Sequence, residues 1–338
     1  VDAAAVGDFQ GSNDLEGSII LYDLSFRIEE GYRSNGDGDD ELITVFDNGN
    51  IFYNESGNKP DERLIENIQG NVSAMISGDF DGDGDSEIVT ADQSGSNCSI
   101  FVSDDGEAGS IVEYQIYSSG NFRVTALTAG DFDGDGRDEL VTAISHSQLT
   151  ESYIYVDDIS TTGISMSGSP WFGPSNEYIV TEMTAGDFGN DGIFKDRLIF
   201  ALSNSGMLAT KIYCTALDHF SFDSSHIFFG PDNYWHVTAM AFGDFWDDNN
   251  ITKELIIAFS NHSFNHTTIS KTDDPVINGI GTIIYDPGSP SEYFISSIVA
   301  ANFRESLHPI TSIYEDKNVN NNSLEDNFVL FQNLHRHQ

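Results

Sequence analysis

AMISGDFDGDGDSEIV at residues 74–89, ALTAGDFDGDGRDELV at 126–141 and the looser AMAFGDFWDDNNITKELII at 239–257 are near-copies of one phrase. The Asp that opens each acidic run recurs at Asp79, Asp131, Asp187 and Asp244, always followed by Phe, so the period runs from 52 to 57 residues. Self-similarity at such a spacing marks a repeat architecture, in which one unit buries its apolar face only by stacking on its neighbours. A degenerate copy follows at Asn302-Phe303, and two more lie upstream, at Asp8-Phe9-Gln10-Gly11 and from Arg33 to Glu41.

Between copies the chain alternates in the manner of pleated segments: Asn121 to Ala129, Glu139 to Ile144, Ser152 to Val156 and Gly109 to Tyr117 carry the Val, Ile, Tyr and Phe of strands, and nothing long has a helical period. Small residues before each acidic run, such as Ala129-Gly130 and Ala185-Gly186, suit an innermost strand with little radial room. The expectation is an all-β fold, a β-propeller of four-stranded blades in one domain over residues 1–338, with seven blades favoured. The two upstream copies lie too close together for a complete blade. Either one blade is shared between the termini, or residues 10–35 interrupt a first blade and the count is six.

Fifty-five acidic residues against fourteen basic ones, a formal charge of -41, oppose binding to nucleic acid or to anionic membranes. No apolar run is long enough to span a bilayer, so membrane insertion is not expected. Cys98 and Cys214 are too few for a disulfide scaffold and read as buried thiols, with a bond between them the alternative. Glycosylation sequons at Asn54, Asn71, Asn97, Asn250, Asn261, Asn265 and Asn321 lean toward a secreted, cell-surface or extracellular glycoprotein. The first residue, Val1, reads as the start of a mature or trimmed chain.

The chemistry is in the acidic turns. Asp79, Asp81, Asp83, Asp85 and Glu87 alternate along one turn, and Gly82 and Gly84 let the backbone curl so that the oxygens converge, which suits Ca²⁺ with its six to eight hard oxygen ligands. Asp79, Asp81, Asp83 and Glu87 would ligate by side chain and Asp85 by its carbonyl. The next turn repeats the form with Asp131, Asp133, Asp135 and Glu139, and with basic Arg137 at the carbonyl position, where any side chain is tolerated. These are two structural Ca²⁺ sites. Three weaker turns bring the count up to five: Asn35, Asp37, Asp39 and Glu41; Asp187, Asp191 and Asp196; and Asp244, Asp248 and Glu254. The ninth-position Glu and the absence of flanking helices set these turns apart from the helix-loop-helix calcium motif, so the ion would staple a turn rather than signal.

The phrase Ala-Gly-Asp-Phe-Asp-Gly-Asp-Gly-x-x-Glu-Leu resembles the FG-GAP (VCBS-like) repeat, the propeller class typified by the integrin α-subunit headpiece. The resemblance implies seven blades with Ca²⁺ in the turns between first and second strands, held at Asp79, Asp81, Asp83, Asp85 and Glu87 and at Asp131, Asp133, Asp135, Arg137 and Glu139. The closing residue is Glu where integrin repeats usually carry Asp.

Fold class does not give function. No nucleophile elbow, zinc-protease motif, phosphate loop or dinucleotide fingerprint occurs. Aromatics recur ahead of the inner strands, and Tyr178, Tyr234, Trp235 and Tyr293 are candidates for holding a ligand, although packing between blades accounts for the same positions. The favoured function is a non-catalytic, calcium-stabilised extracellular binding or adhesion module, with a glycan or a protein as partner. The alternative is a carbohydrate-active enzyme of the polysaccharide lyase type, with Arg123, His236, Tyr234 and His262 as its participants.

Overall fold

The computed structural model describes residues 4–7, 41–45, 50–54, 63–67, 72–82, 86–94, 97–103, 112–117, 122–146, 152–160, 163–164, 171–172, 178–187, 195–204, 210–218, 221–222, 226–229, 235–243, 254–261, 266–272 and 282–285. They form five antiparallel sheets. The first joins β1 (Ala4–Gly7), β2 (Glu41–Val45), β3 (Asn50–Asn54) and β4 (Arg63–Asn67). The second joins β5 (Val72–Gly78), β6 (Glu87–Ser94), β7 (Asn97–Ser103) and β8 (Val112–Tyr117). In the third, β9 (Phe122–Gly130), β10 (Glu139–His146) and β11 (Ser152–Ser160) are followed by two short strands, β12 (Gly163–Ile164) and β13 (Trp171–Phe172), both paired with β11. The fourth repeats that pattern with β14 (Tyr178–Gly186), β15 (Arg197–Asn204), β16 (Thr210–Asp218), β17 (Ser221–Phe222) and β18 (His226–Phe229). The fifth holds β19 (His236–Gly243), β20 (Glu254–Asn261), β21 (His266–Thr272) and β22 (Thr282–Tyr285).

The all-β class stands, but the expected seven four-stranded blades, or six, do not describe this molecule. Five sheets are found among the described residues, two of them carry five strands because the outer position is split between two short segments, and none closes into a barrel. The count was inflated at the N-terminal end. β1 pairs with β2 with Gly7 opposite Glu41, so the phrases at Asp8 and at 33–41 belong to one sheet, as the alternative of a first blade interrupted at residues 10–35 has it; residues 8–40 lie outside the described residues.

The first strands of successive sheets lie beside one another, from β1 to β5, β9, β14 and β19, in a propeller-like succession. Cores form between sheets. Ala74, Phe80, Val89 and Ile100 of the second sheet pack with Val124, Leu127 and Leu140 of the third. Phe132, Val141 and Ile154 of the third pack with Val180, Leu198 and Phe200 of the fourth. Ile199, Ile212 and Cys214 of the fourth pack with Val237, Leu255 and Phe259 of the fifth. The Phe after Asp79 and the one after Asp131 are thus wedges between sheets: Phe80 and Phe132 are both 2% exposed.

The small residues before the turn have a steric cause. A Cβ on Gly78 would lie 2.8 Å from Ala129 Cβ, and one on Gly130 would lie 3.0 Å from Ala185 Cβ, so each first strand ends against its neighbour with no room for a side chain. Four first strands also share a β-bulge whose extra residue bears a hydroxyl, at Ser73, Thr125, Thr181 and Thr238. The hydroxyls of Ser73 and Thr181 reach the carbonyls of Ala91 and Ala201, and that of Thr125 meets Ser145 Oγ.

Candidate metal centre

Strand register brings each acidic turn together. The Gly that ends a first strand pairs with the residue that opens the second, Gly78 with Glu87 and Gly130 with Glu139, so the closing Glu returns to the opening Asp. Asp131, Asp133, Asp135 and Glu139 each offer an oxygen within 4.8 Å of the others, as do Asp79, Asp81 and Glu87. An all-carboxylate donor set of this density fits a hard divalent cation.

The backbone shapes the turn around these oxygens. Asp131 accepts three amides, from Gly134 at 2.6 Å and Asp135 at 3.1 Å on Oδ1 and from Gly136 at 3.0 Å on Oδ2. Asp133 Oδ1 accepts the Asp135 amide, and Asp135 Oδ1 accepts the Arg137 amide. In the preceding turn the Gly82 amide donates to Asp79 Oδ1 at 2.7 Å. Such a curl requires positive φ, found at Gly82 (78°), Gly134 (79°) and Gly136 (89°). The buried closing residues are fixed alike: the Phe80 amide donates to Glu87 Oε2 and the Phe132 amide to Glu139 Oε2, each at 2.8 Å. Burial pushes the Glu139 carboxyl up to about 8; the Phe132 amide opposes the rise, and the charges of Asp133, Asp158 and Asp131 add to it. Burial is the main cause and the neighbouring carboxylates add to it, and a cation held by these oxygens would offset both.

Asp83 and Asp85 lie outside the described residues, as do Asn35, Asp37, Asp39, Asp191, Asp244, Asp248, Tyr234, Tyr293 and His262. Glu41 opens β2 opposite Gly7 and Glu254 opens β20 opposite Gly243, so both hold the register of a closing Glu. The turn from Asp187 differs. Gly186 pairs with Arg197, which puts a guanidinium-bearing residue where Glu139 stands in the third sheet. Asp196 sits one place earlier, and its Oδ2 accepts the Asp131 amide of the preceding turn at 3.2 Å. Exposed Arg137 donates its amide within its own turn, and its stem lies over Gly82, where a Cβ would be 2.9 Å from Arg137 Cγ.

Of the aromatic candidates, Trp235 is placed as packing. Trp235 is buried in the core between the fourth and fifth sheets, and Tyr178 opens β14. Exposed Arg123 and buried His236 sit on the third and fifth sheets with the fourth between them, so these two lyase participants are not brought together. Cys98 and Cys214 are not joined in a disulfide and lie in separate clusters.

A feature missed in the sequence is Asp138. Its amide donates to the Asp79 carbonyl at 2.8 Å, and its Oδ2 accepts the Asp79 amide at 3.0 Å. Asp196 does the same to Asp131, with the amide donating to the carbonyl at 2.9 Å. The signal was present: both residues immediately precede the residue that opens a second strand, ahead of Leu140 and Leu198. Burial pushes Asp138 up to about 6; the hydrogen bond from Asp79 opposes this, and the charges of Asp79 and Asp131 add to it.

Residues 79–142 match the FG-GAP-like repeat family. No curated protein matches the chain. Among solved structures, the chain is similar to BBS1N crystallised in complex with ARL6DN and soaked with lead, at 11% identity and a TM-score of 0.44, covering 86% of this chain and 87% of that one. It is also similar to the Dos1 propeller, at 11% identity and a TM-score of 0.44, covering 83% of this chain and 63% of that one. The described residues form an all-β arrangement with a propeller-like succession of sheets. The chain carries an FG-GAP-like repeat at residues 79–142, and the match does not extend to the integrin α-subunit type in particular. Among the described residues no helix is long and apolar enough to cross a membrane.

Proposed function

We propose that this chain is a non-catalytic binding module whose acidic turns are stapled by Ca²⁺ and whose partner is an extracellular protein or a glycan. The observation that carries the proposal is the convergence of Asp131, Asp133, Asp135 and Glu139 within 4.8 Å, repeated in the preceding turn by Asp79, Asp81 and Glu87. Four acidic side chains held this close repel one another, and a divalent ion with hard-oxygen preference relieves that repulsion while tying the ends of two strands together. The ion is a fastening of the scaffold, and recognition belongs to the surfaces that the fastened sheets present. An extracellular setting agrees with this chemistry, because calcium modules outside cells work at millimolar free ion. Sequons at strand ends, Asn54 of β3, Asn97 of β7 and Asn261 of β20, point the same way.

Calorimetry of chelator-stripped protein with Ca²⁺, followed by thermal unfolding with and without the ion, tests the proposal. Two or more ions bind and the midpoint rises by several degrees, and Glu139→Gln removes one of them. Absence of binding in the wild type, or binding without stabilisation, refutes the staple. With the scaffold loaded, glycan arrays and extracellular protein panels then separate the two partner classes.

A further inference from the structure

We propose that Asp138 and Asp196 are positioning residues that set the cation affinity of the turn before their own, so that adjacent turns are energetically coupled. The proposal rests on the cation reading above and extends it to residues that belong to neither carboxylate cluster. The geometry is reciprocal and occurs twice. Asp138 binds Asp79 through both main-chain groups of Asp79, donating to its carbonyl at 2.8 Å and accepting from its amide at 3.0 Å. Asp196 binds Asp131 in the same two ways, at 2.9 Å and 3.2 Å. Asp79 and Asp131 are the opening ligands of their turns, and they also accept the amides that shape those turns. Fixing their backbone therefore fixes the first donor and the curl built on it.

The coupling has a direction. Asp138 lies between Arg137 and Glu139, so an ion that draws the 131–139 turn closed also sets the residue that grips Asp79. The stem of Arg137 over Gly82 adds a second contact between the same two turns. One sheet further on, Asp196 grips Asp131 from a turn in which Arg197 replaces the closing Glu. That turn carries the clamp although its closing position holds no carboxylate, so Asp196 serves the neighbouring turn in a place where its own turn lacks the closing Glu. In the second and fifth sheets the equivalent positions are Ser86 and Lys253, and in the first sheet Asp40, which lies outside the described residues; among the described residues the carboxylate clamp is seen at two successive junctions. Outer partners that orient metal ligands commonly change affinity by about 10- to 100-fold when removed.

The test uses the full chain and two readouts. In calcium-free protein, amide hydrogen exchange at Asp79 is slow in the wild type, fast in Asp138→Ala and slow in Asp138→Asn, because the Asn oxygen accepts the same amide. In a Glu139→Gln background, where 79–87 is the better of the two turns left to titrate, Asp138→Ala lowers Ca²⁺ affinity about 10-fold and Asp138→Asn leaves it near the background value. If Asn weakens binding as much as Ala, the residue acts through its charge and the clamp is overturned. Equal affinity in all three proteins overturns the coupling while the cation reading stands. If the wild type binds no Ca²⁺ at all, the coupling fails together with that reading, and the exchange rates at Asp79 then report separately whether the inter-turn hydrogen bonds exist.

Discussion

A single residue breaks the pattern of the first strands. Immediately after the bulge, three of them place Ala, at Ala74, Ala126 and Ala239, and the fourth places Glu182. Burial holds its carboxyl up to about 8 against the Met183 amide, which favours the ionised form. In the unfolded chain this group loses its proton near 4.5. Between these two values the folded state therefore carries the extra proton, and the contribution of Glu182 to stability falls as pH rises from about 4.5 to about 8. Each unit corresponds to about 1.4 kcal/mol, and because the half-buried residue keeps some contact with solvent a net effect of about 2 kcal/mol is expected. Glu182→Gln should match the wild type near pH 4 and exceed it by that amount near pH 9 in urea unfolding. Glu182→Ala, which restores the residue of the other strands, should behave alike at high pH. A difference between Gln and wild type that is the same at both pH values would show that the carboxyl is solvated in the folded state.

At the scale of elements, the sheets are joined by side chains that accept an amide from the next first strand. Cys98 Sγ accepts the Val124 amide at 3.3 Å, and Ser152 Oγ, at the same place in the next sheet, accepts the Val180 amide at 3.1 Å. Ser152 also meets Ser145 at 2.7 Å. The thiol is thus an acceptor in a structural position, and burial pushes it up, away from the reactive thiolate. Cys98→Ser should stay within about 1 kcal/mol of the wild type, whereas Cys98→Val, of similar shape, should lose about 1–3 kcal/mol because a buried amide goes unanswered. Denaturant midpoints decide it, and a Val variant as stable as Ser removes the linkage argument. Much of this layer was legible in the sequence. Gly-Asp-Phe-Asp-Gly-Asp-Gly announces a turn between strands because Gly readily adopts the positive φ it needs, and among the described residues the two best copies hold converging carboxylates. The first hairpin was not settled by the sequence, which left a blade shared between the termini open beside a first blade interrupted at residues 10–35; the register of Gly7 with Glu41 favours the second. Nor was the role of Asp196: counting acids cannot separate the closing position from the one before it, and only the register of Gly186 with Arg197 does so.

For the whole molecule the governing quantity is charge. At -41 over 338 residues the chain repels itself, and the turns concentrate part of that charge where strands of successive sheets meet. Diffuse surface repulsion and the local repulsion in the turns differ in how they can be relieved. Monovalent salt shortens the Debye length from about 10 Å at 0.1 M to about 3 Å at 1 M, and so screens the exposed, spread-out component. It acts weakly on carboxylates a few ångströms apart around buried Glu139 and Glu87, where a site-bound divalent ion acts directly. In calcium-free protein, raising KCl from about 0.1 M to about 1 M should therefore raise the thermal midpoint partway toward the calcium-loaded value, and saturating Ca²⁺ should add a further rise at either salt concentration. The calcium increment should shrink in Glu139→Gln at both salt concentrations, because that variant loses a ligand while the diffuse field changes by a single charge. If high salt alone reproduced the full calcium effect, the turns would be ordinary solvated acidic surface, and the fastening of one sheet to the next would rest on the wedged Phe80 and Phe132 and on the Asp138 and Asp196 hydrogen bonds without help from an ion.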